Sequence, residues 1–525
     1  MAISGSKHPA STDLMLKKTK VELCTADRKG RKEHGGDAFR RAATLAMSLG
    51  FNFSRPMSDP FAPFAEKMRA DGLSDAAIRA FEGNFRALER QETGLIPESD
   101  LSPVLELPSA ATLPVPEDAA LTPLLRRSVV IKLNGGLGTG MGLEKAKSLL
   151  QVRDGLCFLD LIARQILHLR QATGGGSVPR FLLMNSFSTS ADSRELLAHY
   201  PELGNPADLE FLQNRVPKVL TESLTPLAWP AHPDLEWCPP GHGDLYASLA
   251  GSGWLDNLLN EGILYAFVSN SDNLGATLDP ALLAWFADSG APFLMEVTRR
   301  TAADKKGGHL ALRPRDGRLI LRESAQCPDA DAEAFQDIGR HRFFNTNNLW
   351  IRLDHLKQTL TQHGGLIPLP MIRNSKTADP RDKNSPEVYQ LETAMGAAIE
   401  SFNGAAAIEV SRARFAPVKT TSDLLIIRSD ACRLTSDFRL ELHPARRGVP
   451  PDVNLDSTHY KLVDGLDQLL AEAIPSLLDC QKLTIKGLVQ FKPGVIINGT
   501  VSLNHAGPSP APIRAGEYAD ASYPV

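Results

Sequence analysis

The sequence predicts an α/β protein: a central mixed, mainly parallel sheet covered by helices, followed by a small C-terminal parallel β-helix. Three observations carry this. Apolar runs rich in β-branched residues alternate with segments of helical periodicity through the middle of the chain, the pattern of a sheet covered on both faces. The first of those runs, Ser128 to Leu133, stops abruptly at a cluster of glycines. The end of the chain is instead made of short alternating runs punctuated by glycine, with no room for helices between them.

Taken in order, residues 1–41 carry ten Lys/Arg against five Asp/Glu and little apolar periodicity, so residues 1–59 are expected to form a flexible basic segment. From Pro60 the pattern turns helical. Ser74 is suited to an N-cap, and Ile78, Phe81, Phe85 and Leu88 recur at spacings of three and four, which puts them on one face. Thr93 to Asp118 is proline-rich and reads as a connector within a segment, 60–126, that packs on the main domain. That main domain is expected over 127–430. Its strands are predicted at Ser128–Leu133, Phe181–Asn185, Tyr265–Asn270 and Phe293–Val297, with a helix from Phe158 to Leu169. Residues 431–525 should supply linker helices and the β-helical part, with strands near Thr484–Gly487, Val489–Phe491 and Val495–Leu503. The residues after Gly507 are rich in Pro and Ala and are expected to be irregular.

Bulk properties exclude several functional classes. The 525 residues allow about two to four domains. The net charge of −4 offers no global basic field for nucleic acid, and the basic N-terminal stretch lacks interleaved aromatics. No apolar run reaches the ~18 residues that a membrane span needs. The six cysteines form no CxxC pair and no zinc spacing. Together these point to a cytoplasmic protein with no nucleic-acid and no membrane partner, in which any anionic ligand is held by local cations and backbone N–H groups.

The most informative stretch is Leu133-Asn134-Gly135-Gly136-Leu137-Gly138-Thr139-Gly140-Met141-Gly142, followed by Lys145, Lys147 and Ser148. Five glycines in eight positions remove the Cβ atoms that would keep a ligand away, and successive N–H groups in such a loop can form an anion nest. Lysine adds a mobile point charge. Neither familiar phosphate loop fits. No Gly-Lys pair exists for GxxxxGK[ST], and GxGxxG fails at Met141 or at Leu143. A loop placed directly after a buried strand and followed by Lys147-Ser148 still reads as a phosphate site.

The run Val130-Ile131-Lys132-Leu133-Asn134-Gly135-Gly136-Leu137-Gly138-Thr139 closely resembles the nucleotide-binding loop of eukaryotic-type UDP-glucose pyrophosphorylases. The resemblance continues, in the family's order, through Val152–Gly155, Phe158–Asp160, Cys238–Tyr246, Phe267–Ala276, Phe344–Trp350, Gln390–Ala394 and Arg414–Asp423, so that it spans residues 60–503. Two positions depart from the family pattern. Gly140 stands where a Thr-Met pair is usual, and Ala146 where a proline precedes the lysine, which implies a more flexible loop. The C-terminal β region also looks shorter than in many relatives.

The resemblance implies a nucleotidyltransferase domain of Rossmann-like, GT-A-like type and a Mg²⁺-dependent, reversible reaction of UTP with glucose 1-phosphate to UDP-glucose and pyrophosphate. It implies Lys147 and Lys419 as catalytic cations on the phosphates. Asp272, just beyond an apolar strand, fits a hard-oxygen ligand for Mg²⁺. Leu133, Asn134, Gly135 and Gly136 would form the backbone wall around the nucleotide. Gln213 matches a residue that reads the uracil edge, since an amide offers both donor and acceptor, and Gly241 would let the base approach. On the sugar side the implied residues are His242, Asn270, Glu296, Asn345, Asn347 and Glu392, with Asn348 in the same amide cluster. The C-terminal β region would be a candidate surface for a homo-oligomer. Two alternatives stay open: a pyrophosphorylase for UDP-N-acetylhexosamines or for UDP-sugars broadly, and a non-catalytic UDP-sugar-binding protein.

Overall fold

Ser128–Asn134 forms a strand in which six of seven residues are buried, as its β-branched composition dictates. The computed structural model describes residues 59–525 except Thr173 and Gly175. The flexible basic segment expected at the N-terminus therefore lies outside the described residues. Residues 63–525 form one compact unit.

Its central sheet has ten strands: β1 (Ser102–Pro103), β2 (Ser128–Asn134), β3 (Arg180–Asn185), β4 (Glu210–Leu212), β5 (Tyr265–Asn270), β6 (Phe293–Arg299), β7 (His309–Arg313), β8 (Arg318–Arg322), β9 (Phe343–Arg352) and β10 (Ala406–Glu409). The main path runs β1-β7-β9-β5-β2-β3-β4, with β6 on β9 and β10, and β8 on β7. The β2/β3, β3/β4, β2/β5 and β6/β10 pairs are parallel. Following the pairings outward, β2 to β7 and β10 run one way, and only β1, β8 and β9 are inverted. The sheet is mixed and mainly parallel, as expected.

Alternation along β2 explains its burial on both faces. Val130 faces a core shared with Phe158, Ile162, Phe181 and Phe267, while Val129 and Ile131 face a second core with Leu182, Val268 and Leu249. The predicted helix occupies Phe158–Ala172. On the N-terminal side, the Ser74 hydroxyl accepts from the Ala77 N–H at 3.2 Å and starts the helix Asp75–Glu89, whose Ile78, Phe81, Phe85 and Leu88 are all buried. A cap of this kind contributes about 1 kcal/mol.

Beyond the sheet, Asp452–Leu455, Cys480–Lys486 and Val495–Asn504 stack in parallel register. Inward residues of the last alternate strictly with outward ones, which is the pattern of β-helical coils. The apolar core is continuous from Phe158 through Leu424 to Leu483 and Ile485, so this region is packed on the α/β domain. One expectation fails here. The residues after Gly507 are not irregular: Ala511–Ile513, Gly516–Ala519 and Ser522–Pro524 each add a parallel strand. A rung of three or four residues needs few ladder bonds, so proline and alanine are tolerated where a longer strand would exclude them. Among the described residues no helix is long and apolar enough to cross a membrane.

Candidate active site

Strands β2 and β5 are parallel neighbours, so the glycine loop after Asn134 and the turn after Asn270 open at the same edge of the sheet, the edge where parallel sheets collect ligands. The loop folds back on itself. The Lys147 N–H donates to the Gly136 carbonyl at 3.1 Å. Gly138 sits in the left-handed region at φ 69°, where a Cβ would lie 2.9 Å from Leu143 and 3.3 Å from the Lys147 side chain. Glycine is therefore required there for the lysine to lie across the loop. At Gly136 and Gly140 a Cβ would meet nothing within 4 Å, which leaves open space over the backbone.

Two distant segments converge on Lys147. Its ammonium donates to Asp272 Oδ2 at 2.7 Å and to the carbonyl of Val418, the residue before Lys419. Lys419 is exposed, and its N–H is bound by the Asp423 carboxylate that also caps the helix Thr421–Arg428. The second oxygen of Asp272, Oδ1, is buried without a partner. An orphaned hard oxygen fits a divalent cation such as Mg²⁺. Among the described residues no cluster of three or more His, Cys, Asp or Glu could hold a metal unaided, so such an ion would complete its shell with phosphate oxygens and water.

The residues expected to meet the base lie at the other end of the loop. Gln213 donates from Nε2 to the Gly241 carbonyl at 3.0 Å, and a Cβ on Gly135 would lie 2.4 Å from its Oε1. Turning the amide over would set Oε1 against the Gly241 carbonyl, so the acceptor stays directed to the Gly135 side. The Asn134 side chain is buried in a network with Asn185, Ser193 and Ser271. It shapes the wall, which leaves only its backbone for a ligand.

Gly241, at φ 79° and ψ 171°, packs against Thr393, and the Gly243 N–H donates to the Thr393 carbonyl at 2.8 Å. This brings Glu392, at the end of the strand Glu387–Glu392, beside the Gly241-His242 turn. His242 Nδ1 accepts from the Met395 N–H at 2.9 Å, so its proton sits on Nε2. Burial pushes this imidazole down to about 4, and it is a neutral donor at pH 7. Asp244, raised by burial to about 6, anchors Asn214 next to Gln213 through its N–H at 2.7 Å.

On the sugar side the structure separates the predicted residues. Opposite Glu296 and Val297, strand β9 carries a bulge at Thr346-Asn347, with Asn347 left-handed at φ 57°, a conformation asparagine tolerates. Asn345 and Asn347 are joined side chain to side chain at 2.9 Å. Asn270 ends β5 half-buried. Glu296 contradicts its expected role. It is 0% exposed, and its oxygens already accept from Arg414 (2.7 and 2.8 Å), Trp350 (2.9 Å) and Asn348 (3.0 Å). A saturated carboxylate has nothing left for a sugar hydroxyl. Asn348 is committed to the same network and is buried with it.

The sequence motifs assign no role to two residues of the site: Glu323 lies outside them, and Lys132 lies within the first. Glu323, following β8, is hydrogen-bonded to Asn345 and lies in the field of Lys419; burial raises its pKa while that charge and hydrogen bond oppose the rise. The β7–β8 hairpin that precedes it is marked by Asp316-Gly317 between two apolar runs, but that turn signal assigns no role to the glutamate. Lys132, within β2, is buried and donates to Ser269 Oγ (2.8 Å) and the Ala276 carbonyl (2.6 Å). It ties the loop strand to the turn bearing Asp272.

Comparison with known proteins agrees with this geometry. A family model described as UTP–glucose-1-phosphate uridylyltransferase matches residues 80–498. A barley (Hordeum vulgare) enzyme of that name is 38% identical, with 84% of this chain and 94% of that protein aligned. The Saccharomyces cerevisiae enzyme is 43% identical over 72% of this chain and 74% of its own. Among solved structures, a Leishmania major UDP-glucose pyrophosphorylase mutant in complex with UDP-glucose superposes with a TM-score of 0.83 at 48% identity, covering 89% of this chain and all of that one. A Trypanosoma brucei relative gives 0.81 at 48% identity, covering 88% of this chain and 99% of that one. The match spans the glycine loop, the Asp272 turn and the Lys419 segment alike, and the chain belongs to the UTP–glucose-1-phosphate uridylyltransferase family.

Proposed function

We propose that this chain joins UTP and glucose 1-phosphate to give UDP-glucose and pyrophosphate, reversibly and with Mg²⁺. The observation that carries the reading is the convergence of Lys147, Asp272 and the Val418-Lys419 segment at one sheet edge, beside an amide fixed to read uracil. A phosphate oxygen of the sugar phosphate attacks the α-phosphorus of UTP. The bond from that phosphorus to the bridging oxygen breaks, and its electron pair leaves with pyrophosphate. Such a transfer needs alignment and charge neutralisation more than a covalent group on the protein. Lys147, freed from Asp272, meets the charge growing on the leaving group. Lys419 approaches the phosphates from the opposite segment. Asp272 would hold the Mg²⁺ ion, which supplies charge neutralisation across the phosphates when bound. Gln213 accepts the uracil N3–H at Oε1 and donates its remaining amide proton to a ring carbonyl. His242, a neutral Nε2–H donor, and Asn345, Asn347, Glu323 and Glu392 would serve the sugar and its phosphate. The five described cysteines are free thiols, which supports a reducing compartment such as the cytoplasm.

The test is pyrophosphate release from UTP and glucose 1-phosphate with Mg²⁺, beside Lys147→Ala and Lys419→Ala. The expected result is turnover abolished by EDTA and cut at least ~100-fold by each substitution, equivalent to about 2.7 kcal/mol of transition-state stabilisation. Faster turnover of N-acetylglucosamine 1-phosphate would move the assignment to the hexosamine branch. No turnover of glucose, galactose or N-acetylglucosamine 1-phosphate would overturn the enzyme reading.

A further inference from the structure

Arg215 takes no part in the chemistry above, yet it is held by more partners than a surface arginine needs. Its guanidinium lies over the Trp237 ring at 4.7 Å and the Phe187 ring at 5.4 Å. It also binds the Asp71 carboxylate through two nitrogens, Nε at 2.6 Å. Lys67 adds an outer rung over Trp237 at 5.5 Å and pairs with Glu236. Phe187 is 56% exposed, large for a phenylalanine in a protein whose other rings are mostly buried.

The positions of these partners in the chain give the stack its meaning. Gln213 is fixed at two points: its N–H donates to the Asn185 carbonyl at 2.6 Å, and its side chain to the Gly241 carbonyl at 3.0 Å. Phe187 lies two residues after Asn185, and Trp237 four residues before Gly241. Val216-Pro217, directly after Arg215, pairs with Trp237-Cys238. Arg215 therefore clasps, from outside, both segments that hold Gln213 from inside. A planar guanidinium can stack on two rings while its edge forms a bidentate ion pair, a combination an ammonium cannot reproduce.

We propose that Arg215, stacked between Phe187 and Trp237 and clamped by Asp71, is a positioning residue for base selection: it sets the spacing between the Asn185 carbonyl that holds the Gln213 backbone and the Gly241 carbonyl that orients its side-chain amide. The selectivity at stake is uracil over cytosine, because cytosine presents an acceptor where uracil presents the N3–H and so requires the opposite amide orientation. This rests on the reading of Gln213 as the base-reading residue.

The experiment compares Arg215→Met, Arg215→Lys and Lys67→Met with the unaltered chain. Equilibrium binding of UMP and CMP is measured by calorimetry, and kcat/KM for UTP and CTP alongside the KM for glucose 1-phosphate. Arg215→Met is expected to lower the UMP-to-CMP preference at least fivefold and kcat/KM for UTP about tenfold, with the KM for glucose 1-phosphate within twofold. Arg215→Lys should fall between, and it decides the matter should the Met variant not fold. Lys67→Met removes the outer rung with its bonds to Glu236 and the Leu227 carbonyl but leaves the Arg215 stack and its Asp71 clamp in place, so it should lower Tm without moving base preference. An unchanged preference in both Arg215 variants, or an equal change in Lys67→Met, overturns the proposal. A chain that binds UMP over CMP but turns nothing over would refute the transferase reading and leave this test standing. Equal binding of UMP and CMP by the unaltered chain would overturn the base-reading role of Gln213, and the proposal with it.

Discussion

Replacing Gly241 by alanine probes the joint between the base and sugar halves of the site. The new Cβ would lie 2.5 Å from the Thr393 carbonyl oxygen, 2.9 Å from the Thr393 nitrogen and 3.1 Å from the Glu392 Cβ. Two of these are backbone atoms of a segment held by the Thr393 N–H to Pro240 and the Gly243 N–H to Thr393, so neither can swing aside. The conformation adds a second cost. At φ 79° and ψ 171° the residue occupies a region essentially reserved for glycine, worth about 1–3 kcal/mol. Crowding in a packed site adds about 1–3 kcal/mol. The sum, about 2–6 kcal/mol, should appear as a lower urea midpoint or as a displaced 240–243 turn. A displaced turn moves the carbonyl that fixes Gln213, so the KM for UTP should rise at least tenfold even where the fold survives. Urea unfolding followed by tryptophan fluorescence, with initial rates at varied UTP, reads both. A variant within about 0.5 kcal/mol of the parent and with unchanged KM would refute the reasoning, since it would mean that the 393 segment does not constrain this turn.

Three further outcomes follow from the same structure. Asp272→Asn keeps the shape, but its single oxygen serves Lys147 and an NH2 donor takes the place of the orphaned oxygen, so the Mg²⁺ concentration for half-maximal rate should rise at least tenfold, read by titration of the rate. Arg414→Met strands the buried Glu296 carboxylate beside Trp350 and Asn348 and should cost about 3–5 kcal/mol in denaturant unfolding, whereas Glu323→Gln should leave stability nearly unchanged and raise the KM for glucose 1-phosphate. Burial, aided by the neighbouring His341, depresses the His309 imidazole to about 2 from an ordinary 6.5. The unfolded chain then binds the extra proton first, so this contribution is complete above pH 6.5 and is lost as pH falls, by about 1.4 kcal/mol per pH unit; His309→Phe should flatten that slope between pH 6.5 and 5.

Four strands of the sheet, β2, β3, β5 and β6, are legible in the sequence because they are six or seven residues long and mostly apolar; β1, at two residues, and β4, at three, are too short to register. The glycine loop is legible because five glycines directly after a buried strand strip the side chains from the one sheet edge where a ligand can approach the backbone. Lys147 and Asp272 can be named individually, but nothing in their spacing announces a 2.7 Å contact. Glu296 misleads for a physical reason. An acidic residue within an apolar strand looks the same in sequence whether it faces a cleft or a buried arginine, and its partner, Arg414, lies 118 residues away. Glu323 escapes because the Asp316-Gly317 turn signals a hairpin but not what the residue after its second strand will face. The last three strands escape because β-helical rungs of three or four residues are too short for alternation to register.

The three-way meeting at Lys147 also bears on how the chain reaches activity. Lys147 is synthesised early, its carboxylate partner 125 residues later and its carbonyl partner 271 residues later. A chain emerging from the ribosome therefore possesses the glycine loop long before it possesses a site. Until the Val418 segment arrives, the loop lacks the contact that holds its lysine in place. A site that needs all three segments is complete only in a nearly finished fold, and a ligand that touches them all stabilises that fold without rewarding any partial one.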